Sequence, residues 1–333
     1  MVKLMTNLFS FVGLRRITVL MIFLVATFVQ AEPVSVITVK VRSGDTISYL
    51  ALKYLHTYDR DILDKIKKLN PQIRDLNRIQ VGQVLHLPKP ADEPPQPTVP
   101  SPPAVTKKMT ATASRAVATL VEGEVQLMAE GGNTWRSLGA NAILKGGDKV
   151  QVLDNGRLEM VLDNRSVLRL GSNSTLEIKE VERKPEKETY RFALSLGKMW
   201  TRVTRLLGFG SKYQVDTPTA ITAVQGTVYD LQVDSNQQTR VRVHSGNVQV
   251  YNPFAGALTP GEKVPKLREP TRVPGPSRIS REAWEQLLLQ QYQQVTLSRE
   301  GRSTISAFDL DKARKEAWIR WNEARDKDFY GDI

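Results

Sequence analysis

The spacing of apolar residues changes its period along the first part of the chain. Residues 37–41 alternate between apolar and polar side chains, which is typical of a half-buried strand. Apolar residues then recur at helical spacing over residues 47–54 and 62–69, and residues 84–87 alternate again before a proline. Residues 35–88 are therefore predicted to form a small α+β module in the order strand, helix, helix, strand.

Residues 115–252 show a second pattern, a long series of short alternating segments. Apolar residues fall at every second position in segments such as 149–152 and 239–243. Turn signals rich in glycine, asparagine and aspartate separate these segments at intervals of about 8–12 residues. This spacing predicts an all-β domain, either a sandwich or a roll.

The last stretch, residues 279–333, has apolar side chains at helical spacing. One stripe contains Trp284, Leu287 and Leu288. A second stripe contains Leu310, Ala313, Ala317, Trp321 and Ala324. We predict a helical tail of amphipathic helices that pack on the β domain or on each other. The alternative is a coiled-coil or partner-binding tail.

Two proline-rich stretches, residues 89–114 and 253–278, separate these three parts. Proline neither continues a helix nor donates a hydrogen bond within a sheet, so the first stretch is predicted to be an extended, semi-rigid spacer. The second stretch is less rich in proline and is predicted to be a connection. The expected fold class is therefore multidomain: a small α+β module, a proline-rich linker, an all-β sandwich or roll, and C-terminal helices.

Residues 1–31 have the pattern of a secretory signal peptide. Three basic residues, the last of them Arg16, precede an apolar stretch over residues 17–29. Val29 and Ala31 then place small side chains at the −3 and −1 positions of a cleavage site. We predict cleavage after Ala31 and a periplasmic location. The alternative is an uncleaved membrane anchor, although the apolar stretch is shorter than the ~20 residues of a spanning helix.

The composition of the chain excludes several kinds of site and indicates the charge of a partner. It has 333 residues, a formal net charge of +12, three histidines and no cysteine. A basic surface suits an anionic partner, and charge alone does not choose among cell wall, membrane headgroups and nucleic acid. The absence of cysteine excludes disulfides, thiolate metal sites, cysteine nucleophiles and a lipidated N-terminal cysteine. Because the chain is expected to be exported, we predict no nucleic-acid partner.

The first module carries residues that match a known family. They are VKVRSGDTI at 39–47, Leu50, Ala51, Tyr54, Ile62, Ile66, LNP at 69–71, Ile79 and GQVLHLP at 82–88. On these residues the module resembles a LysM domain. The resemblance implies a βααβ fold that binds peptidoglycan through its N-acetylglucosamine-containing glycan. One departure, a longer segment between Tyr54 and Asn70, affects the loop between the helices.

The same resemblance implies where the glycan binds. The groove would lie between the loop after the first strand and the loop after the second helix. Its glycan-binding residues would be Gly44, Asp45, Thr46 and Ile47 on one side and Asn70, Pro71, Gln72 and Ile73 on the other. Backbone groups near Gly44 would bond N-acetyl groups, and apolar side chains would contact sugar faces. The alternative for residues 44–46 is a turn and a helix cap without a ligand.

The predicted β domain also carries residues that match a known family. They are LKGGDKV at 144–150, LG at 196–197, YQVDTP at 213–218, VQGTVY at 224–229 and VRVHSGNV at 241–248. On these residues the domain is similar to the FecR type, a periplasmic domain that passes a receptor signal to a cytoplasmic anti-sigma segment. Only sixteen residues precede the apolar stretch, so anti-sigma activity is not expected here. The resemblance implies an envelope location and a scaffold or protein-binding role, and Gly226 and Gly246 are expected at turns or bulges.

Residues 198–214 contain no acidic side chain, and basic residues there are interleaved with aromatic and aliphatic ones. The basic residues are Lys198, Arg202, Arg205 and Lys212. One interpretation is a long β connection with a solvated basic edge. The other is a contact for an anionic wall or membrane surface.

No catalytic constellation occurs in the sequence. The three histidines lack metal-ligand partners at helical spacing, and there is no Gly-x-Ser-x-Gly motif. The sequence does not exclude a carboxylate-based glycosidase, because any two acidic residues can meet in a fold. We predict no enzymatic activity, no catalytic residue, no cofactor and no metal.

The main hypothesis is an exported, peptidoglycan-binding envelope protein. In it the first module is a tether, and the β domain is a scaffold or binds an envelope protein. The alternative is an envelope signal-sensing component that acts through the FecR-like domain.

Overall fold

In the computed structural model the first module folds as its pattern predicts. The structure describes residues 36–89, 115–184, 186–206, 208–253 and 286–331. The module consists of β1 (Val36–Lys40), α1 (Ile47–Tyr54), α2 (Arg60–Leu69), a short 3₁₀ helix (Leu76–Arg78) and β2 (Val84–Pro88). The predicted signal peptide, Trp284 and nearly all of both proline-rich stretches lie outside the described residues.

Both helices of the module begin at a residue whose side chain caps them. Thr46 Oγ1 accepts a hydrogen bond from Tyr49 N at 3.1 Å, and Asp59 Oδ1 accepts one from Ile62 N at 2.8 Å. β1 and β2 pair antiparallel. The side chains that these four elements bury together include Ile47, Leu50, Ile66, Leu85 and Leu87.

The part of the chain that follows is almost entirely strand, and we call strands β3 to β19 the β domain. They are β3 (Ala116–Glu122), β4 (Val125–Met128), β5 (Arg136–Ser137), β6 (Ile143–Leu144), β7 (Lys149–Val152), β8 (Arg157–Leu162), β9 (Val167–Leu170), β10 (Ser174–Lys184), β11 (Lys187–Arg202), β12 (Lys212–Asp216), β13 (Ile221–Val224), β14 (Val228–Val233), β15 (Thr239–Ser245), β16 (Val248–Tyr251), β17 (Gln286–Leu289), β18 (Gln293–Leu297) and β19 (Ser303–Ala307). Among these described strands, every pairing except β11 with β12 is antiparallel.

The strands form two sheets that share β11. In the first sheet the order is β5-β4-β7-β10-β11-β12-β13-β16-β17, and in the second it is β6-β3-β8-β9-β11-β14-β15-β18-β19. Alternate residues of both sheets meet in one apolar core, which includes Met160, Leu168, Tyr190, Phe192 and Met199. The predicted all-β sandwich or roll is therefore present.

Strand β11 passes from the first sheet to the second at Gly197. Before this residue β11 pairs with β10 and β12, and from Gly197 onward it pairs with β14 and then also with β9. Gly197 has a φ of +101°, and a Cβ at this position would lie 2.4 Å from Ser174 Cα. The corner between the sheets therefore requires glycine.

Gly246, which the sequence places at a turn or bulge, lies between β15 and β16 with a φ of +84°. A Cβ there would lie 2.8 Å from Gly226 O. The two glycines therefore pack closely, and the turn interpretation accounts for Gly246 without a ligand.

The predicted helical tail is wrong over residues 286–307, which form β17, β18 and β19. Leu287 and Leu288 of the predicted helical stripe lie in β17 instead, where Leu287 is half-buried and Leu288 is exposed. Residues 293–297 alternate in burial, and Val295 and Leu297 reach the apolar core. Pairing of β18 with β15 extends the second sheet, so tertiary packing outweighs the helical spacing of a few apolar residues.

Helices do form the end of the described chain, as α3 (Leu310–Ala313) and α4 (Ala317–Tyr330). The buried face of α4 carries Ile319, Asn322, Asp326 and Phe329, whereas Ala324 of the predicted stripe is exposed. Two of these four buried residues are polar, so the spacing of apolar residues could not predict which face of α4 is buried. Within the described residues, no helix is long and apolar enough to cross a membrane.

The outer face of the second sheet is covered by α4 and by the first module. Val117, Val161 and Val167 point away from the core of the β domain and belong to the apolar cluster of the first module, together with Phe329 of α4. These strands are therefore buried on both faces. The βααβ module, the β domain and α4 pack as one compact unit.

Candidate functional site

The first wall of the predicted groove, residues 44–47, faces the β domain. Gly44 has a φ of +82°, and a Cβ there would lie 3.6 Å from Arg325 Nη1 and 3.7 Å from Leu120 Cδ1. Thr46 Oγ1 donates a hydrogen bond to Thr119 O at 2.6 Å, and Ile47 is fully buried. Residues 44–46 thus form a turn and a helix cap. Part of this wall also contacts the β domain.

Asp45 stabilises the turn of the first wall. Its Oδ2 accepts a hydrogen bond from Arg42 N at 2.8 Å. Burial raises the pKa of Asp45, and the hydrogen bond from Arg42 N opposes this effect. The carboxylate therefore has a local structural partner, and the side chain is partly exposed.

The second wall of the predicted groove, residues 70–73, divides into buried and exposed residues. Asn70 is fully buried, with Nδ2 donating to Ile66 O at 2.6 Å and Oδ1 accepting from His86 N at 2.8 Å. Ile73 is also buried, whereas Pro71 and Gln72 are exposed. The side chains of Asn70 and Ile73 therefore support the wall, and those of Pro71 and Gln72 are open to a ligand.

A residue that the sequence did not indicate lies beside both walls. Asn141, between β5 and β6, accepts a hydrogen bond at Oδ1 from Ser48 N at 3.0 Å and donates from Nδ2 to Asn77 Oδ1 at 3.0 Å. Ser48 follows the first wall, and Asn77 lies in the same α2–β2 connection as the second wall. No local pattern could have revealed this contact, because Asn141 is 93 residues from Ser48 along the chain.

Comparison with protein-family models agrees with the geometry of both parts. The LysM domain model matches residues 39–88, and the FecR protein model matches residues 148–249. The chain contains a LysM domain and a FecR domain. The FecR match begins at residue 148, just before β7. Strands β3 to β6 and Asn141, which lies between β5 and β6, are therefore outside the matched residues.

Comparison with whole proteins adds a distant likeness. No curated protein sequence matches this chain. Two crystal structures of a candidate anti-sigma factor from Parabacteroides distasonis match with a TM-score of 0.36 and 16% identity. The matches cover 51% of this chain and 64% and 63% of those chains, which is less than two thirds of their length.

Helix α4 contacts the LysM domain next to the first wall. Asp328 accepts a hydrogen bond from the Tyr49 hydroxyl and lies 2.9 Å from Lys53 Nζ. The guanidinium of Arg325 lies over the Tyr49 ring, 4.2 Å from its centroid. Burial, the largest effect, raises the pKa of Tyr49, so this phenol stays protonated and donates to Asp328.

A buried ionic network lies beneath α4 on the outer face of the second sheet. Glu159 Oε2 lies 2.7 Å from Arg169 Nε, and Glu159 Oε1 lies 2.7 Å from Arg325 Nη2. Burial opposes ionisation of Glu159, but the two arginines outweigh it and lower its pKa to about 2. The network joins the β domain to the helix that contacts the LysM domain.

His244 belongs to a second buried cluster. Its Nε2 lies 2.7 Å from Asp230 Oδ2, and Arg242 Nε donates to the same carboxylate at 3.0 Å. Burial disfavours the ionised form of Asp230, but the bonds from His244 and Arg242 outweigh it and lower its pKa. Arg242 also lies 2.7 Å from Glu316 Oε1, so the cluster anchors the chain just before α4.

The four basic residues of 198–214 do not form one surface. Arg202 is half-buried with its guanidinium 4.3 Å from the Tyr330 ring centroid, so it contacts α4. Lys198 is exposed but distant from Lys212. Lys212 pairs with Thr189 of β11, and nine residues of the same strand, roughly 30 Å, separate Thr189 from Lys198. Arg205 and Lys212 are exposed at the two ends of the loop that carries the fully exposed Phe209.

The described residues show no group of three or more histidine, aspartate or glutamate side chains that could hold a metal ion. LysM and FecR, the two families whose models match this chain, are non-catalytic families. The residues of the predicted groove offer backbone N–H groups, amides, the Asp45 carboxylate and small apolar surfaces, which can hold a ligand by hydrogen bonds and apolar contact.

Proposed function

We propose that this is an exported, periplasmic protein whose LysM domain binds the N-acetylglucosamine-containing glycan of peptidoglycan. The observation that carries the proposal is the LysM match over residues 39–88, which coincides with the complete βααβ module. In this proposal the FecR domain is a scaffold that contacts an envelope protein. Neither part needs a cofactor.

The exposed part of the groove supports a carbohydrate ligand. Next to Gln72 there is a cavity of about 370 Å³, lined by Gln72, Ile73, Arg74, Asp75, Arg78, Gln80 and Gln83. Amide side chains bond sugar hydroxyl and acetamido groups, and the two arginines suit the carboxylates on the peptide stems of peptidoglycan.

Retention on purified sacculi tests this proposal. The chain from residue 32 onward should sediment with sacculi, and a protein with both Pro71→Ala and Gln72→Ala should be retained less. Lys65→Ala is the matched control, because Lys65 is exposed on α2 of the same domain. Equal retention of all three proteins would show that this groove does not bind the glycan.

The second candidate function is an envelope signal-sensing component that acts through the FecR domain. It is favoured by the contacts of α4, which joins the groove side of the LysM domain to the buried network of the β domain. A photo-crosslinker at Phe209 should then capture a receptor or regulator in cells. Capture of wall fragments alone would favour the tether.

The loop with Arg205, Phe209 and Lys212 is the part of the basic stretch that suits contact with an anionic surface, because all three side chains are exposed. An exposed aromatic ring between basic residues suits a lipid headgroup layer. Sedimentation with phosphatidylglycerol vesicles should fall for Phe209→Ser, whereas Lys198→Ala should sediment as the unmodified protein does. Equal sedimentation of all three proteins would leave the loop as a solvated edge.

A further inference from the structure

Asn141 is fixed by the β domain and reaches the LysM domain. Its backbone N donates to Ala118 O on β3 at 2.7 Å, and its φ is +68°. Its side-chain amide bonds Ser48 N and Asn77 Oδ1, each at 3.0 Å. One amide therefore bridges the start of α1 and the α2–β2 connection, the two segments that bound the candidate groove.

The side chain of Asn141 has the hydrogen-bonding groups of an N-acetyl group. Both are planar amides with a carbonyl acceptor and an N–H donor. Ser48 N lies in the first turn of α1, where backbone N–H groups have no partner within the helix. The acetamido carbonyl of a glycan would satisfy Ser48 N as Asn141 Oδ1 does, and the acetamido N–H would replace Nδ2 at Asn77.

Further contacts hold the LysM domain against the β domain and α4. Thr46 Oγ1 donates to Thr119 O at 2.6 Å, and Lys53 Nζ lies 2.9 Å from Asp328 Oδ1. Val117 and Val161 add an apolar contact from the outer face of the second sheet. The segment around Thr46 is thus covered by protein on the side where the carboxamide sits.

We propose that Asn141 is an internal competitor for the N-acetyl group of the glycan. The described conformation is then a closed state, and the glycan binds after the LysM domain leaves the β domain. This inference rests on the proposed glycan-binding function. It adds that the β domain regulates that function through one side chain.

The size of the effect follows from the population of the open state. The apparent dissociation constant is the intrinsic one divided by the open fraction. Removing the two hydrogen bonds of Asn141 should weaken the closed state and tighten apparent glycan binding on the order of tenfold. The other interface contacts remain, so the closed state is weakened and not abolished.

The test compares four forms of the chain from residue 32 onward. They are the unmodified protein, Asn141→Gly, Asp328→Ala and the control Asn155→Gly. Glycine suits both asparagine positions because Asn141 and Asn155 have φ values of +68° and +56°. Asn155 lies in the turn between β7 and β8. Its replacement therefore measures the effect of an asparagine-to-glycine change at a left-handed position and leaves the hydrogen bonds of Asn141 in place. The ligand is the β-1,4-linked N-acetylglucosamine pentamer, measured by calorimetry.

Asn141→Gly and Asp328→Ala should bind the pentamer more tightly, and Asn155→Gly should bind as the unmodified protein does. If Asn141→Gly does not fold, Asp328→Ala still tests the closed state, because Asp328 holds Tyr49 and Lys53 of the LysM domain and unchanged affinity in this variant would show that the glycan does not need the domain to open. Unchanged affinity in the folded variants would overturn the competition and leave the glycan-binding function intact. If none of the four proteins binds the pentamer or sacculi, the function fails and the competition fails with it.

A distance measurement tests the opening directly. The chain has no cysteine, so spin labels at Lys65→Cys and Gln249→Cys report only the separation of the two domains. Saturating pentamer should lengthen this distance, and it should be longer in Asn141→Gly even without ligand. A single distance that is unchanged by pentamer would show that the glycan binds without opening.

Discussion

Arg169 Nη1 lies 2.6 Å from Asp326 Oδ1, and this pair joins β9 to α4 in a place that solvent does not reach. The side chains are 0% and 5% exposed. Arg169 also pairs with Glu159, so each of its two carboxylate partners comes from a different part of the chain. Because buried charges are stable only when paired, α4 is required for the outer face of the second sheet.

Asp326→Ala should lower the free energy of unfolding by about 3–5 kcal/mol, since Arg169 and Arg325 then share the single carboxylate of Glu159 and one buried positive charge is left uncompensated. It also removes the acceptor of Trp200 Nε1, which donates to Asp326 Oδ2 at 3.1 Å. Urea denaturation followed by tryptophan fluorescence measures the change. Glu323→Ala is the control, since Glu323 is also on α4 but pairs with Arg314, which precedes this helix, at a site that solvent reaches, and such a pair should contribute only about 0–1 kcal/mol. Equal losses in the two variants would contradict a special role for the buried pair.

Acid should destabilise the protein through Glu159. Its folded-state pKa of about 2 lies below its ordinary value of 4.5, so the unfolded state binds the proton more readily. The stabilisation is complete above pH ~4.5 and is lost as the pH falls toward ~2, and it amounts to something on the order of 3 kcal/mol. Chemical denaturation at several pH values across this window should show the free energy of unfolding falling with pH.

Glu159→Gln provides the comparison for the pH dependence. The variant should be less stable at neutral pH, and its stability should depend less steeply on pH between ~4.5 and ~2, because the titrating group is gone. Glu323→Gln should keep the slope of the unmodified protein. An unchanged slope in Glu159→Gln would mean that other carboxyl groups cause the acid sensitivity.

Local sequence signals predicted the LysM module well. The caps at Thr46 and Asp59 and the apolar positions of α1 and α2 act over a few residues, so periodicity and cap chemistry identify them. The series of strands was also predictable, because each strand alternates and ends at a turn. These features depend on neighbours in sequence.

The contacts between the parts were not predictable from local pattern. Glu159 and Arg169 occupy outward positions on alternating strands, which is the pattern of a solvated face, yet α4 covers both more than 150 residues later. Asn141 gives no signal for the same reason. The strands at residues 286–307 have no clear local signal, because β18 is specified by its pairing with β15.

Gly197→Ala should be among the most damaging single substitutions in the β domain. Its added Cβ would lie 2.4 Å from Ser174 Cα, and the backbone is left-handed at φ +101°. We expect a loss of at least about 3 kcal/mol in the free energy of unfolding, or failure to fold. Gly210→Ala is the matched control, because it is also left-handed but has open space around a Cβ, and it should lose only about 1–2 kcal/mol.

Trp200 and Phe209 lie in the same basic stretch of sequence but should behave differently when replaced. Trp200 is buried against α4, with its ring centroid 4.5 Å from that of His244, whereas Phe209 is fully exposed between two left-handed glycines. Trp200→Ala should therefore lower the free energy of unfolding by about 3–5 kcal/mol. Phe209→Ala should change it by less than about 0.5 kcal/mol. Urea denaturation monitored by circular dichroism avoids the loss of the Trp200 signal, and a large effect of Phe209→Ala would show that its loop packs on the protein.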